Sequence, residues 1–191
     1  MKYISILFLF FITIQNPIYS QEKGDKARLV LYSSLTDTLK VNVKNAYPFG
    51  LNFDAASSYA GGKVYFFENG KRIKRKANEI KYLEFRDRQG KLRRYTFNPR
   101  LEMSNVSEIL VSGKINLYLN VSLVGISNRS AVRFLEKEDE IIPLNGFNKP
   151  KKFRENLIKM MFDQPELQKR LENSKLEDHE ILSIIKEYNS L

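Results

Sequence analysis

Residues 63–100 constrain the fold of this 191-residue chain most strongly, because they read as two consecutive β-hairpins. The first hairpin turns at Asn69-Gly70, between the segments VYFFE and KRIKR. Asn-Gly favours a type I′ turn, in which both central residues need a positive φ. The cross-strand pairs predicted from this turn are Glu68 with Lys71, Phe67 with Arg72, Phe66 with Ile73 and Tyr65 with Lys74. One face of the hairpin then combines aromatic rings with cationic side chains.

The second predicted hairpin spans residues 80–97 and turns at Asp87-Arg88-Gln89-Gly90. Two registers are possible for it, and a shift of one residue moves the side chains to the opposite face. A type I turn that ends with Gly90 in the left-handed region gathers the apolar side chains on one face. The pairs in this register are Leu83 with Tyr95, Glu84 with Arg94 and Phe85 with Arg93. We prefer this register, although it leaves Leu92 on the polar face.

Almost all of the net charge lies in the same stretch. Residues 71–100 hold twelve Lys or Arg and three Asp or Glu, a net of +9 against +10 for the whole chain. When Lys2, which lies in the leader described below, is set aside, nineteen basic and nineteen acidic residues remain elsewhere. The chain is therefore neutral apart from one basic β-meander, and this meander predicts an anionic partner.

We predict a ligand-binding face on this meander, formed by six aromatic and basic residues: Tyr65, Phe67, Arg72, Lys74, Arg86 and Arg94. Anionic lipid headgroups, an acidic polysaccharide or an acidic envelope protein would suit such a face. Nucleic acid is the usual partner of basic and aromatic strands, but the export signal predicted at residues 1–20, described next, argues against it. The alternative is a solvated sheet face whose Lys and Arg protect an edge strand from mispairing. The sequence leaves both interpretations open.

Residues 1–20 are predicted to be a secretory signal peptide. Lys2 supplies the positive start, and an apolar run of 11 residues follows at positions 4–14. A membrane span needs about 20 apolar residues, so this run fits the core of a signal peptide. We therefore expect an exported protein, in the periplasm or at the cell surface, that keeps no transmembrane segment after cleavage before Gln21.

The rest of the chain predicts one compact domain with a helical appendage. Cysteine is absent, so stability must come from a hydrophobic core, without disulfides. Apolar alternation predicts strands at 28–32, 38–44 and 106–111 and from residue 113, a short strand at 51–53, and a third hairpin within 131–144. The predicted fold class is α+β. Residues 21–148 form a mainly antiparallel β domain, a sandwich or a partly open barrel, and residues 149–191 form two or three short helices that pack on it.

The helical prediction rests on apolar stripes with a period near 3.6 residues after position 148. The residues of these stripes are Phe153, Leu157, Met160 and Met161, then Leu167 and Leu171, then Ile181, Ile184, Ile185 and Tyr188. Pro165 suits the first turn of the second helix. Ser174 and Glu177 have the spacing of a capping box for the third.

Several short motifs lie along the chain beyond the predicted export signal and the Gln21 that follows it. They are Asp37-Thr38-Leu39, Gly113-Lys114-Ile115 with Leu117-Tyr118, and a C-terminal run from Phe153 and Leu157 through Asp163-Gln164-Pro165-Glu166-Leu167 to Tyr188-Asn189. Together these pieces resemble an uncharacterised family of secreted or envelope proteins from Bacteroidetes. Many members of that family have a cysteine where this chain has Gln164. The resemblance implies an envelope location and a fold style, and it implies no activity.

No catalytic motif stands out, and we expect a non-enzymatic protein without a cofactor or a metal. The single histidine, His179, reads as a solvated helix residue, because no Gly-x-Ser-x-Gly motif supplies a nucleophile for it. The alternative is a periplasmic, glycosidase-like hydrolase, which needs two carboxyl groups about 5 to 9 Å apart. Its candidate carboxylates crowd one predicted turn: Glu136, Glu138, Asp139 and Glu140.

Three Asn-x-Ser triplets could carry N-glycans if the host adds them. They begin at Asn105, Asn120 and Asn128. Two of them adjoin predicted strands.

Overall fold

The structure is a computed structural model that describes residues 25–43, 61–87, 90–124, 128–144 and 150–191. The predicted signal peptide and the short strand predicted at 51–53 lie outside these residues. Ten strands are formed within them: β1 (Asp25–Leu31), β2 (Ser34–Val43), β3 (Lys63–Glu68), β4 (Lys71–Lys76), β5 (Ile80–Arg86), β6 (Leu92–Thr96), β7 (Ser107–Val111), β8 (Asn116–Val124), β9 (Asn128–Lys137) and β10 (Glu140–Leu144). Three helices follow: α1 (Pro150–Met160), α2 (Pro165–Asn173) and α3 (Asp178–Ser190).

The ten strands form one antiparallel sheet in the order β10-β9-β8-β7-β6-β5-β1-β2-β3-β4. From β5 to β10 each strand pairs with its neighbour in sequence, because short connections favour hairpins. The exception is the β1–β2 hairpin, which inserts between β5 and β3. The two predicted hairpins are therefore in one sheet but are separated by two strands.

Both predicted hairpin registers are confirmed. In the first, Phe67 is opposite Arg72 and Tyr65 is opposite Lys74. In the second, Glu84 is opposite Arg94, and Gly90 has a φ of +76°. The Gly90 N–H donates to the carbonyl oxygen of Asp87 at 2.8 Å, which closes the turn. Leu92 is on the polar face as predicted, with 37% of its surface exposed.

The sheet is strongly curled, because strands far apart in its order come together. A Cβ placed on Gly62, just before β3, would lie 3.0 Å from the carbonyl oxygen of Ser104, between β6 and β7. In a flat sheet β3 would lie about 19 Å from β6 and about 24 Å from β7, four and five steps of about 4.8 Å. The curl encloses an apolar core whose fully buried members include Leu29, Val43, Val64, Phe66, Ile80, Leu83, Phe85 and Tyr95. The α+β class is confirmed, with the β part an open, curled sheet.

The three helices cover one face of β7, β8 and β9. Their predicted stripes are confirmed as the buried sides of the helices, with Leu157, Met161, Leu171 and Ile185 fully buried against Ile115, Leu117 and Leu135. The start of α3 differs from the prediction. The helix begins at Asp178, and Glu177 is its N-cap residue, whose backbone N–H donates to the Glu180 carboxylate at 3.2 Å. Ser174 instead donates from its hydroxyl to Glu180 at 2.8 Å.

Several polar contacts fix the helices to the sheet. The side-chain amide of Asn189 accepts from the Ile115 N–H at 2.8 Å and donates to the Ile115 carbonyl oxygen at 2.9 Å. The Lys137 ammonium donates to the last carbonyl of α1, at Met160, at 2.6 Å and to the Tyr188 hydroxyl at 2.7 Å. A cation at a helix C-terminus is favourable, because the carbonyl groups there are unpaired and partly negative.

The opposite face of β8 and β9 is also covered, by the connection between β6 and β7. Leu101, Tyr118 and Phe134 form a small apolar cluster there. Beside it, Asn105 donates from its amide to the Val121 carbonyl oxygen, and Asn120 donates to the Ser107 hydroxyl at 2.8 Å. Both asparagines are buried, so neither of these two Asn-x-Ser triplets offers an accessible side chain for a glycan. The side chain of Asn128 lies outside the described residues.

Candidate functional site

The strand registers place the predicted binding residues on one face of the sheet. Cross-strand partners point to the same side of a sheet, and Arg72, Phe67, Asn42 and Lys26 are successive partners on β4, β3, β2 and β1. Since Ala27 pairs with Phe85, the next residues outward, Lys26 and Arg86, fall in the same row. This side of the strands β4-β3-β2-β1-β5-β6 is called the basic face below.

Nine exposed cations lie on the basic face by this alternation: Lys26, Arg28, Lys40, Lys63, Arg72, Lys74, Lys76, Arg86 and Arg94. Among the described residues of this face, Glu84 is the single carboxylate. Nine positive charges against one negative charge produce a strongly positive local potential. The face therefore attracts anions, even though the rest of the chain is close to neutral.

Glu84 is held by three neighbours on the same face. The Tyr82 hydroxyl donates to its carboxylate at 2.7 Å, and the Arg94 guanidinium donates at 3.0 Å. Arg28 lies 3.7 Å from the other carboxylate oxygen. The hydrogen bond from Tyr82, followed by that from Arg94, lowers the pKa of Glu84 below its ordinary value. Burial, together with the bond donated to Glu84, raises the pKa of Tyr82 to about 12.

The six residues predicted for the site all lie on this face, but they fall into two groups. Tyr65, Phe67, Arg72 and Lys74 are on β3 and β4, where the Arg72 guanidinium stacks 4.3 Å from the centre of the Tyr65 ring. Arg86 and Arg94 are on β5 and β6, beyond the β1–β2 hairpin. Arg86 also donates to the Gly90 carbonyl oxygen at 3.0 Å.

Sequence reasoning missed the cations that connect these two groups. Lys26 and Arg28 on β1 and Lys40 on β2 fill the space between the hairpins. Their alternation with Ala27, Leu29 and Val41 could have shown that they face away from the core. The insertion of β1 and β2 between the two basic hairpins carried no local signal.

A depression of about 640 Å³ lies on the basic face where these strands meet. Four cations line it, Lys26, Arg28, Lys40 and Arg86, and so do Phe67 and Leu92. The other residues that line it are the tip of the first hairpin, Asn69-Gly70, the carboxylate Glu84, and Ala27, Val41, Asn42 and Phe85. This depression is called the basic groove below. Phe67 and Arg86 belong to the predicted set, and the others do not.

The residues of the hydrolase alternative are divided between two places. Glu136 is buried and accepts four hydrogen bonds, from Asn98, Arg100, Asn116 and Tyr118. Burial, and the hydroxyl bond donated to Glu136, raise the pKa of Tyr118 well above its ordinary value. This network joins the β6–β7 connection to β8 and β9, so its evident role is structural.

Glu138, Asp139 and Glu140 lie at the two-residue turn between β9 and β10 and border a separate depression of about 490 Å³. Lys159 and Phe162 border it as well, and Lys159 donates to Glu140 at 2.7 Å. Glu136 is not among the residues that line this depression. Three of the four candidate carboxylates are therefore exposed at this depression, and the fourth, Glu136, is buried in a separate hydrogen-bond network.

The structure also shows the surroundings of the single histidine and bears on metal binding and membrane spans. His179 is exposed on α3, and its ring nitrogen lies 3.4 Å from the Glu177 carboxylate. Within residues 25–43, 61–87, 90–124, 128–144 and 150–191, three or more metal-binding side chains do not cluster anywhere. None of the helices in that part of the chain is both long enough and apolar enough to cross a bilayer.

Comparisons with known proteins add no relative. No family model, no curated protein and no solved structure matches this chain.

Proposed function

We propose that this protein is an exported, non-enzymatic component of the cell envelope that binds an anionic ligand through its basic face. The observation that supports the proposal is the excess of nine exposed cations over one carboxylate on a continuous sheet surface. Phosphate, sulfate and carboxylate groups of lipids, polysaccharides or acidic proteins have the matching chemistry. The proposed location rests on the leader predicted at residues 1–20 and on the family resemblance.

The strength of such binding comes from many weak contacts. A Lys or Arg close to an anionic membrane surface contributes about 1 kcal/mol, so four or five engaged residues suffice for measurable retention. The screening length falls from about 8 Å at physiological salt to about 3 Å at 1 M. Retention on an anionic matrix should therefore disappear over this range of salt.

The test is retention of the full chain on anionic vesicles and on an acidic polysaccharide resin at low salt. A variant with Lys26, Lys40, Arg72 and Lys74 changed to Glu should lose retention on both. The matched control changes four exposed lysines of the helical segment to Glu: Lys151, Lys152, Lys169 and Lys175. It makes the same change in net charge but leaves the basic face intact, so it should be retained. Equal behaviour of the two variants, or retention that is insensitive to salt, would contradict the proposal.

The hydrolase alternative is tested in the same experiment. Changing Glu138 and Glu140 to Ala should leave retention intact, because neither residue is on the basic face. Release of reducing ends from the polysaccharide by the native chain, abolished in this variant, would favour the hydrolase instead.

A further inference from the structure

The basic groove extends across several strands. Its residues come from five neighbouring strands, from Phe67 on β3 to Leu92 on β6. Four steps of about 4.8 Å give a span of about 19 Å. A planar bilayer would rest on the side chains that project around such a recess, whereas a single extended chain can enter it.

The groove also offers more than charge. Its four cations can pair with carboxylates, and Arg does so with two parallel hydrogen bonds. Phe67 is half-buried and Asn42 beside it lines the same groove. The ring supplies an apolar surface for the C–H face of a sugar, and the amide can bind sugar hydroxyls in both directions. This combination of groups matches a chain of sugars that carry carboxylates.

Two other anionic partners fit the groove less well. Binding to a lipid surface normally inserts apolar side chains, but Leu92 is the one large, clearly exposed hydrophobic residue on the described part of this face. Single-stranded nucleic acid is held by stacking successive bases on several aromatic rings. Phe67 is the one aromatic ring at the described surface of the groove, since Phe85 is buried in the core.

We propose that the basic groove binds an extended acidic polysaccharide, a chain of uronate sugars that lies across the strands from Phe67 towards Leu92. This inference rests on the proposed function, and it names the ligand class and the place where it binds. The carboxylates would pair with Lys26, Lys40 and Arg86, and one sugar ring would pack on Phe67.

The experiment compares two double variants of the full chain with equal charge change. Lys26→Glu with Lys40→Glu alters the groove, and Lys74→Glu with Lys76→Glu alters the same face outside it. Binding to polygalacturonate oligomers of graded length is measured by calorimetry at low salt. We expect the groove variant to bind at least about ten-fold more weakly, and the outer variant to bind within about three-fold of the native chain. Affinity should rise with oligomer length and then level off once the groove is filled.

A third variant, Phe67→Leu, separates sugar recognition from charge alone. It keeps an apolar side chain at a half-buried position but removes the ring. Uronate binding should weaken about three-fold or more, while retention on vesicles with a quarter anionic phosphatidylglycerol should be unchanged. Melting curves of all variants confirm folding. If the Glu variants melt early, Lys26→Gln with Lys40→Gln takes their place.

Each other outcome has a definite meaning. Equal weakening by the groove and outer variants would overturn the groove inference but leave the proposed function standing. Binding to vesicles or to oligothymidylate without binding to uronate would also overturn the inference and would identify the partner as a membrane or a nucleic acid. Absence of binding to every anionic probe at low salt would overturn both.

Discussion

The side-chain amide of Asn189 pairs with the backbone of Ile115 in the way that a neighbouring β-strand would. Its amide forms two hydrogen bonds with the backbone of Ile115, at 2.8 and 2.9 Å. Ile115 is fully buried and precedes β8, so its peptide groups have little access to water. The two residues belong to motifs that appeared in the sequence 74 positions apart, and the structure brings the motifs into contact.

We expect Asn189→Ala to lower the free energy of unfolding by about 1–3 kcal/mol, because it leaves a buried N–H and C=O without partners. Asn189→Asp should also destabilise, since a carboxylate can accept from the Ile115 N–H but repels the Ile115 carbonyl oxygen. Urea unfolding followed by circular dichroism measures both changes. An alanine variant as stable as the native chain would show that the amide bonds contribute nothing.

Gly113 provides the space for this contact. A Cβ at Gly113 would lie 2.5 Å from Cγ of Asn189, too close for the side chain to keep its position. We expect Gly113→Ala to destabilise the native chain by more than about 1 kcal/mol, and to cost clearly less in an Asn189→Gly background, which removes all three side-chain atoms of Asn189 that would lie 2.5–2.7 Å from the added Cβ. Gly61→Ala is the control, because a Cβ there meets nothing within 4 Å. Additive effects of the two substitutions would refute the clash.

At the scale of elements, turn chemistry decided what the sequence could predict. Asn69-Gly70 and Gly90 fixed two registers, since each turn tolerates few residue types at positive φ. The apolar stripes of the helices were predicted from the sequence as well. The pairing of β1 with β5 could not be predicted, because many strands share the same alternation and residues about 50 positions apart carry no common local signal. The site was consequently predicted as two hairpins, without Lys26, Arg28 and Lys40 between them.

Gly62 is a single-residue example of a contact that the local sequence could not predict. In the sequence it belongs to a weakly patterned loop, but it adopts a φ of +68° and faces the Ser104 carbonyl oxygen. The constraint comes from the β6–β7 connection, which is distant in the chain, and only the curl of the sheet brings it close.

On the β5–β6 strand pair, we expect one substitution at Glu84 to lower the stability of the fold and to raise its affinity for an anionic ligand. Glu84→Gln removes the single described carboxylate of the basic face and weakens its bonds to Arg28 and Arg94. We expect the free energy of unfolding to fall by about 1 kcal/mol or less at neutral pH. Affinity for an acidic polysaccharide should rise about two- to five-fold, because one repulsive charge is removed and two cations are released.

The pH dependence of this variant follows from the lowered pKa of Glu84. A carboxylate with a lower pKa in the folded state stabilises the fold at pH values above its unfolded pKa of about 4.5. That contribution disappears as the pH falls through the folded pKa. The native chain and Glu84→Gln should therefore differ in urea unfolding at pH 7 and converge in acid. A difference that persists unchanged in acid would assign the effect to packing instead.

The described residues form two large cores on one sheet, besides the small cluster of Leu101, Tyr118 and Phe134. The curled strands β1–β6, with Val106 and Val121, enclose the first, while the second lies where α1, α2 and α3 cover β7, β8 and β9. The basic face lies on the half of the sheet that the helices do not cover. Ligand binding and helix docking therefore use different strands.

Deleting residues 149–191 should expose the apolar side chains of the second core, among them Val111, Leu117 and Leu135. We expect the truncated chain to aggregate or to form oligomers, because an uncovered apolar sheet face of this size does not remain in water. Light scattering coupled to gel filtration measures this. Removal of Leu191 alone, which is 63% exposed, is the control and should be harmless. A monomeric truncated chain with unchanged melting would show that the helices are not part of the core.

The bond between Asn189 and Ile115 also has a consequence for the order in which the chain folds. It joins residues 74 positions apart, and the entropy lost on closing a loop grows with the length of the loop. Until α3 docks, Ile115 lacks these partners and the apolar surface of β7–β9 stays open to chaperones or to misfolding. Docking of the helical segment is therefore the step of folding at which the chain escapes aggregation.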